Sequence, residues 1–204
     1  AGTITGPGIY TFNDNTSAMA VTWGSDVSGF SGVVNVTDVA SFTVADPSLL
    51  TNGTFNIAAG KSISLEPTAA KILGAATLIT AGTGKLVLNA DTSARVVTVP
   101  STSNITGVAN IELTRGQLKI TGANELSTSA VITTAASNST LDIDASQSIA
   151  TLTHSGAMDI ASGVTLTQTG AAASVIAGTI TGPGIYTLND NTSAMAVTWG
   201  ANVS

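Results

Sequence analysis

No cysteine occurs among the 204 residues, which excludes disulfides, thiolate metal sites and cysteine nucleophiles. Charge is scarce: Asp, Glu, Lys and Arg make up 9% of the chain, against roughly 25% in ordinary globular domains. Six cations face twelve carboxylates, for a net charge of −6. That excludes a phosphate-tracking nucleic-acid binder, which needs a basic face. Aromatic residues are 4% and there is one histidine. No apolar run approaches the roughly 18 residues of a membrane-spanning helix. The chain opens at Ala1 without the basic and apolar regions of a secretion signal. Helical patterning is nearly missing as well. Its best candidate, PTAAKILGAA from Pro67 to Ala76, is interrupted by Gly74 and reads as a short helical turn or a loop bulging from the fold.

What is present is small and apolar. Hydrophobic residues are 43% of the chain, enough for a core and against wholesale disorder. The most informative feature is a repeat. AGTITGPGIYTFNDNTSAMAVTWGSDVS, from Ala1 to Ser28, returns as AGTITGPGIYTLNDNTSAMAVTWGANVS, from Ala177 to Ser204, with three differences in 28 positions: Phe12/Leu188, Ser25/Ala201 and Asp26/Asn202. The sequence therefore reads as one period of about 176 residues (1–176) plus the start of the next (177–204), drawn from a longer tandem array. No linker or charge run divides it, so 1–204 is expected to be a single segment.

A finer pattern recurs inside the period. Val34 to Val36 leads to Phe42 to Val44, Phe55 to Ile57 to Ile63 to Leu65, Ile111 to Leu113 to Leu118 to Ile120, and Met158 to Ile160 to Val164 to Leu166. Leu86 to Leu88 and Leu141 to Ile143 are further runs of this type. A period of two with β-branched residues means strand, one face apolar and the other polar. Units return at intervals of about 20–30 residues, as coils of a solenoid do. The predicted fold is all-β: a right-handed parallel β-helix, with interior ladders of Ile, Leu, Val and Phe and about eight coils per period, roughly 40 Å of rod. A β-sandwich is the alternative; the scarcity of Asn-Gly and Asp-Gly hairpin turns counts against it.

GTITGPGIYTLND (Gly178 to Asp190) and its copy at Gly2 to Asp14, GFSGVVNVTDVASFTV (Gly29 to Val44), AGTGKLVLNA (Ala81 to Ala90) and TRGQLKITGANELS (Thr114 to Ser127) resemble autotransporter-associated β-strand repeats. The resemblance covers about half the chain. It implies a β-helical passenger displayed at the cell surface as an adhesin or stalk. The membrane barrel and export signal of that family have no counterpart in these residues.

Chemistry is thin. His154 with a serine and Asp159 has the residue types of a catalytic triad but no G-x-S-x-G elbow, so it reads as a polar position beside the run Thr151 to Thr153. Asp142 and Asp144 flank Ile143 and share one strand face about 7 Å apart, a separation that polysaccharide-cleaving β-helices could use; the plainer reading is a solvated strand face. Asn13-Asp14-Asn15 and Asn189-Asp190-Asn191 lack calcium-loop spacing and read as polar turns. Gly6-Pro7-Gly8 is a turn without the lysine of a phosphate loop. Thr-x-Thr pairs at Thr3/Thr5, Thr151/Thr153, Thr165/Thr167 and Thr179/Thr181 suit an ice-ordering face but follow equally from strand alternation. Tyr10, Trp23, Tyr186 and Trp199 are the only aromatic candidates for a sugar platform, with core packing as the competing use. The expectation is therefore a non-catalytic, extracellular or cell-surface fibre segment, without cofactor or metal. Its partners would be adjacent repeats stacked end to end, lateral or head-to-tail copies, and surface glycans. A carbohydrate-binding or polysaccharide-degrading β-helix is the alternative.

Overall fold

Every strand pairing is parallel and joins one coil to the next, with no hairpin among the described residues. A run of four alternating residues is too short to bury its own apolar side. Repeating it in register at the roughly 4.8 Å strand spacing satisfies the backbone and stacks like on like. The computed structural model describes residues 3–24, 26–135, 137–170, 172–189, 197–199 and 202–203. Over these the chain forms a β-solenoid of about eight turns with no α-helix.

Three faces make the cross-section. The first carries Ile9–Asn13, Val33–Asp38, Thr54–Ile57, Thr77–Thr80 and Asn104–Gly107, and after a break Gln147–Ile149, Thr165–Gln168 and Ile185–Leu188. The second runs from Ala20–Trp23 to Val197–Trp199 without interruption. The third includes Lys71–Ile72, Val96–Val99, Ser139–Ile143, Ala157–Ile160, Thr179–Thr181 and Asn202–Val203. Asn110–Ile120 serves both the second and third faces, bending at Gly116, whose φ of +104° needs a glycine. Coil length varies at the corners: the stacked partners Thr140 and Ala157 lie much closer along the chain than the stacked partners Thr77 and Asn104.

The predicted helical turn over 67–76 is absent. Lys71–Ile72 is instead a two-residue strand pairing with Val97 and Thr98. The 3₁₀ turn lies earlier, at Pro47–Leu49, where the Asp46 side chain accepts from the Ser48 N–H. It fills the third face of a coil that has no strand there.

Inside, two ladders run along the second face. Phe42, Ile63, Leu86, Ile111, Ile132 and Leu152 stack in successive coils, all buried. Beside them Trp23, Val44, Leu65, Leu88, Leu113, Thr134, His154, Ile176 and Trp199 occupy one continuous register. Each apolar rung contributes roughly 1.5–3 kcal/mol by burial.

The repeated segment closes the same coil twice. Thr3 pairs with Asp26, and its copy Thr179 pairs with Asn202, which stands where Asp26 stood.

Candidate functional site

His154 occupies an interior position of the strand Thr151–His154 and is fully buried. Thr134 Oγ1 accepts from the N–H groups of Ser155 (3.1 Å) and Gly156 (3.2 Å). Its own hydroxyl is left to donate to His154 Nδ1 at 2.9 Å. The ring's Nε2–H then donates to the Thr179 carbonyl at 3.2 Å. Burial holds the imidazole below its ordinary pKa, so it is neutral at pH 7, with the Thr179 contact a smaller opposing effect. This arrangement ties two rungs to the coil above; it gives no attacking group access to a substrate. His154 lies two residues after the inward Leu152 and continues its alternation.

The carboxylates lie on the third face. Asp142 and Asp144 do share a side, and Lys119 from the coil below bridges them, with Nζ 2.9 Å from Asp142 and 2.6 Å from Asp144. The two contacts, Asp144 first, raise the Lys119 pKa. Gln117 donates to Asp142 as well, at 2.6 Å. Asp142 is 6% exposed, which corrects the expectation of a solvated residue. Asp159, its partner one coil on, accepts from Thr181 Oγ1 at 2.7 Å. Both carboxylates are thus held by one lysine from the coil below.

All six cations have partners. Lys61, Lys71, Lys85 and Lys119 reach carboxylates of neighbouring coils, Arg95 pairs with Asp91, and Arg115 donates to the Asp91 carbonyl. Asp14 accepts from the N–H groups of Thr16 and Ala18, so Asn13-Asp14-Asn15 is a self-satisfied polar turn. The threonine pairs build no common ladder, since Thr179 and Thr181 pair with Ala157 and Asp159.

Each aromatic candidate keeps the backbone register of a ladder. Trp23 is 4% exposed, its ring 5.7 Å from Phe42 and 5.3 Å from Phe55. Tyr10 lies in register with buried Val34, edge-on to Phe30, and is 46% exposed. Tyr186, its copy, rests on Leu166 and donates its hydroxyl to Gln168 Oε1 at 2.7 Å; burial pushes its phenol pKa up. Trp199 keeps the ladder register, and its side chain lies outside the described residues.

An open furrow lined by small polar residues, among them Ser93, Ser137, Ser155 and Thr179, follows one corner. Among the described residues no three His, Asp or Glu side chains converge as metal ligands, and no helix is long and apolar enough to cross a membrane. No known protein family matches the chain, and no curated protein or solved structure shows significant similarity to it.

Proposed function

We propose that this chain is a structural, non-catalytic segment of a long repetitive fibre or stalk at the cell surface, adhesin-like in role and akin to the β-helical passengers of autotransporters. One observation carries the reading: the coil that opens the period recurs at the start of the next with the same backbone pairing, Thr3 with Asp26 and Thr179 with Asn202. A unit whose last coil is also the first coil of the next extends without a linker. Consistent with a passive scaffold, Lys119 clamps Asp142 and Asp144 and the one imidazole is sealed in the core.

The joint between units is also continuous on the first face. Ile185–Leu188 ends one sheet, and its copy Ile9–Asn13 begins the other. Superposing the two copies merges both into one sheet, so among the described residues the interruption of this face falls inside the unit, across 121–130.

Electron microscopy of a chain carrying two full periods tests this. A straight rod about twice the one-period length is expected; two beads on a flexible joint would overturn it. Surface display is tested separately, by antibody labelling of intact cells of the source.

A further inference from the structure

Asn-Gly occurs once in the sequence, at Asn52–Gly53, and the fold has a use for each half. The pair turns the chain between the 3₁₀ turn Pro47–Leu49 and the strand Thr54–Ile57. Gly53 has a φ of +78°, and a Cβ there would lie 2.7 Å from Phe30 Cδ1 and 3.1 Å from the Gly32 carbonyl oxygen. Only glycine fits. Asn52 donates its side-chain amide to the Ser28 carbonyl of the coil below. The corner therefore selects both residues for packing, and in doing so brings an asparagine amide next to an unhindered backbone nitrogen.

Two features leave that pair open to reaction. Asn52 is exposed, on an open furrow that Ser28, Ser31, Thr54 and Thr77 also line. The Gly53 N–H has no acceptor among the described residues. Other asparagines lack this combination. Asn35, Asn56, Asn104 and Asn110 each precede a Val or Ile of a strand, whose branched side chain crowds the nitrogen. The nitrogens that follow Asn13 and Asn89 are spent on ladder contacts, Asp14 N–H to the Asp38 carbonyl and Ala90 N–H to the Arg115 carbonyl. Ser139, after Asn138, is buried in register with Gly116.

We propose that Asn52–Gly53 is a site of spontaneous covalent modification, at which the asparagine is converted to aspartate and isoaspartate through a cyclic imide. The Gly53 nitrogen gives up its proton to solvent and attacks Asn52 Cγ, closing a five-membered ring. The C–N bond to Nδ2 breaks, and the amide takes up a proton and leaves as ammonia. Water then adds to one of the two imide carbonyls. Opening at Cγ restores the normal backbone with aspartate at 52; opening at the backbone carbonyl leaves the chain running through Cβ and Cγ, as isoaspartate. The sum is one water consumed and one ammonia released, with no enzyme, oxidant or partner required. Loss of ammonia makes the change one-way, so the corner records the age of the molecule.

The consequences follow from what the pair holds. Either product replaces the donor to the Ser28 carbonyl with a carboxylate, which repels that oxygen. Isoaspartate also adds one backbone atom ahead of Gly53, which is wedged against Phe30 and whose carbonyl accepts from Thr77 N–H at 3.0 Å. Thr54 N–H, bonded to the Gly32 carbonyl at 3.0 Å, is the next contact to move. Modification thus loosens one corner of three successive coils without cutting the chain.

The folded full-length chain and Asn52→Gln, which keeps an amide but disfavours the five-membered ring, are aged side by side at pH 7 and pH 9 and mapped by peptide mass. The wild-type peptide containing residue 52 should gain about one mass unit, faster at pH 9, and should accept the methyl label of an isoaspartyl methyltransferase. Asn52→Gln should gain neither. Hydrogen exchange of the aged wild type should be faster than that of aged Asn52→Gln at 29–33, 53–57 and 77–80. A residue-52 peptide that stays unchanged in the folded chain while converting in urea would overturn the proposal, because the fold would then be protecting the pair. Aspartate without isoaspartate would overturn the imide route, and conversion of another asparagine ahead of Asn52 would overturn the choice of site. Equal exchange in the two aged chains would overturn the loosening.

Discussion

The first coils and the last are the same solenoid held together by different means. Residues 10 to 55 pack rings: Tyr10 on Phe30, Phe12 on Trp23 and Phe42, and Trp23 on Phe42 and Phe55, most of them edge to face. From residue 125 onward the rings give way to buried polar groups. Glu125, Thr134, Asp142, Gln147, His154, Gln168 and Ser174 are all buried, and all but Glu125 are hydrogen-bonded across or along the coils. Ring packing is tolerant of small shifts along the stack. A buried hydrogen bond is not, because a one-rung slip leaves a donor or acceptor unpaired at roughly 1–3 kcal/mol. The aromatic coils supply bulk burial, and the polar coils supply register.

Removing a ring should have the largest effect. Phe42 is fully buried against Phe12 and Trp23, and Phe42→Ala should cost about 3–5 kcal/mol by the cavity it leaves. Because each coil contacts mainly its neighbours, the loss should stay local. Hydrogen exchange should show coils up to about residue 65 opening early while 139–168 keep their protection. Uniform loss along the whole rod would show that the two ends are not independent.

Gln147 is the corresponding point in the polar half. Its amide donates to the carbonyls of Gly122 and Ala145 and accepts from Leu126 N–H at 3.0 Å, pinning the crossing segment where the first face has no strand. Gln147→Ala strands those groups and should cost about 2–3 kcal/mol, read by urea denaturation. Gln147→Leu should recover none of it, unlike an apolar replacement in the aromatic half.

This division was only half legible in the sequence. Val34 to Val36, Phe42 to Val44, Leu86 to Leu88 and Leu141 to Ile143 announce strands by alternation, and all lie in strands with the apolar residues inward. The recurrence of the opening segment at the end of the chain announced the shared coil. The third face was missed at Lys71–Ile72, a two-residue strand too short for a period to register. His154 and Gln168 were hidden for another reason. Both continue the inward alternation of Leu152 and Leu166, but a polar residue at an inward position resembles the end of a strand until the partner coil supplies Thr134 or Tyr186. Asp142 looked solvated because Lys119 and Gln117 reach it from the coil below.

Ion pairs extend the comparison at smaller amplitude. Lys85 and Glu112 are both well exposed, so Lys85→Ala should change stability by under about 0.5 kcal/mol. Lys119 bridges a buried and a half-buried carboxylate, and Lys119→Ala should cost about 1–2 kcal/mol, because Asp142 is left with Gln117 alone. Equal effects of the two substitutions in thermal melts would erase the distinction between outer decoration and rung-to-rung clamp.

The smallest effect is a slope in pH, and its sign locates it in the polar half. The folded state holds His154 below its ordinary 6.5, because the ring is buried. Above pH 6.5 the imidazole is neutral in both states and its contribution is whole. As pH falls below 6.5 the unfolded chain takes up a proton that the folded chain resists, so stability declines until the folded pKa is passed. Glu125 acts in the opposite direction. Burial raises its carboxyl above the ordinary 4.5, so its contribution is whole below pH 4.5 and is lost as pH rises through the folded value. Thermal midpoints should therefore be lower at pH 5.5 than at 7.5 through His154. His154→Gln, which keeps a donor for the Thr179 carbonyl and an acceptor for Thr134, should flatten that part of the profile. Glu125→Gln should raise the midpoint at pH 7 and leave it unchanged near pH 4, where both states carry the neutral acid. With one histidine in the chain, no other side chain has an ordinary pKa between 5 and 8. Hydrogen exchange at pH 5.5 should accordingly accelerate first around 151–154 and 174–181, the rungs that His154 ties together, while the aromatic coils around Phe42 and Phe55 stay as they were. Faster exchange in the aromatic coils instead would mean that the imidazole does not govern the slope.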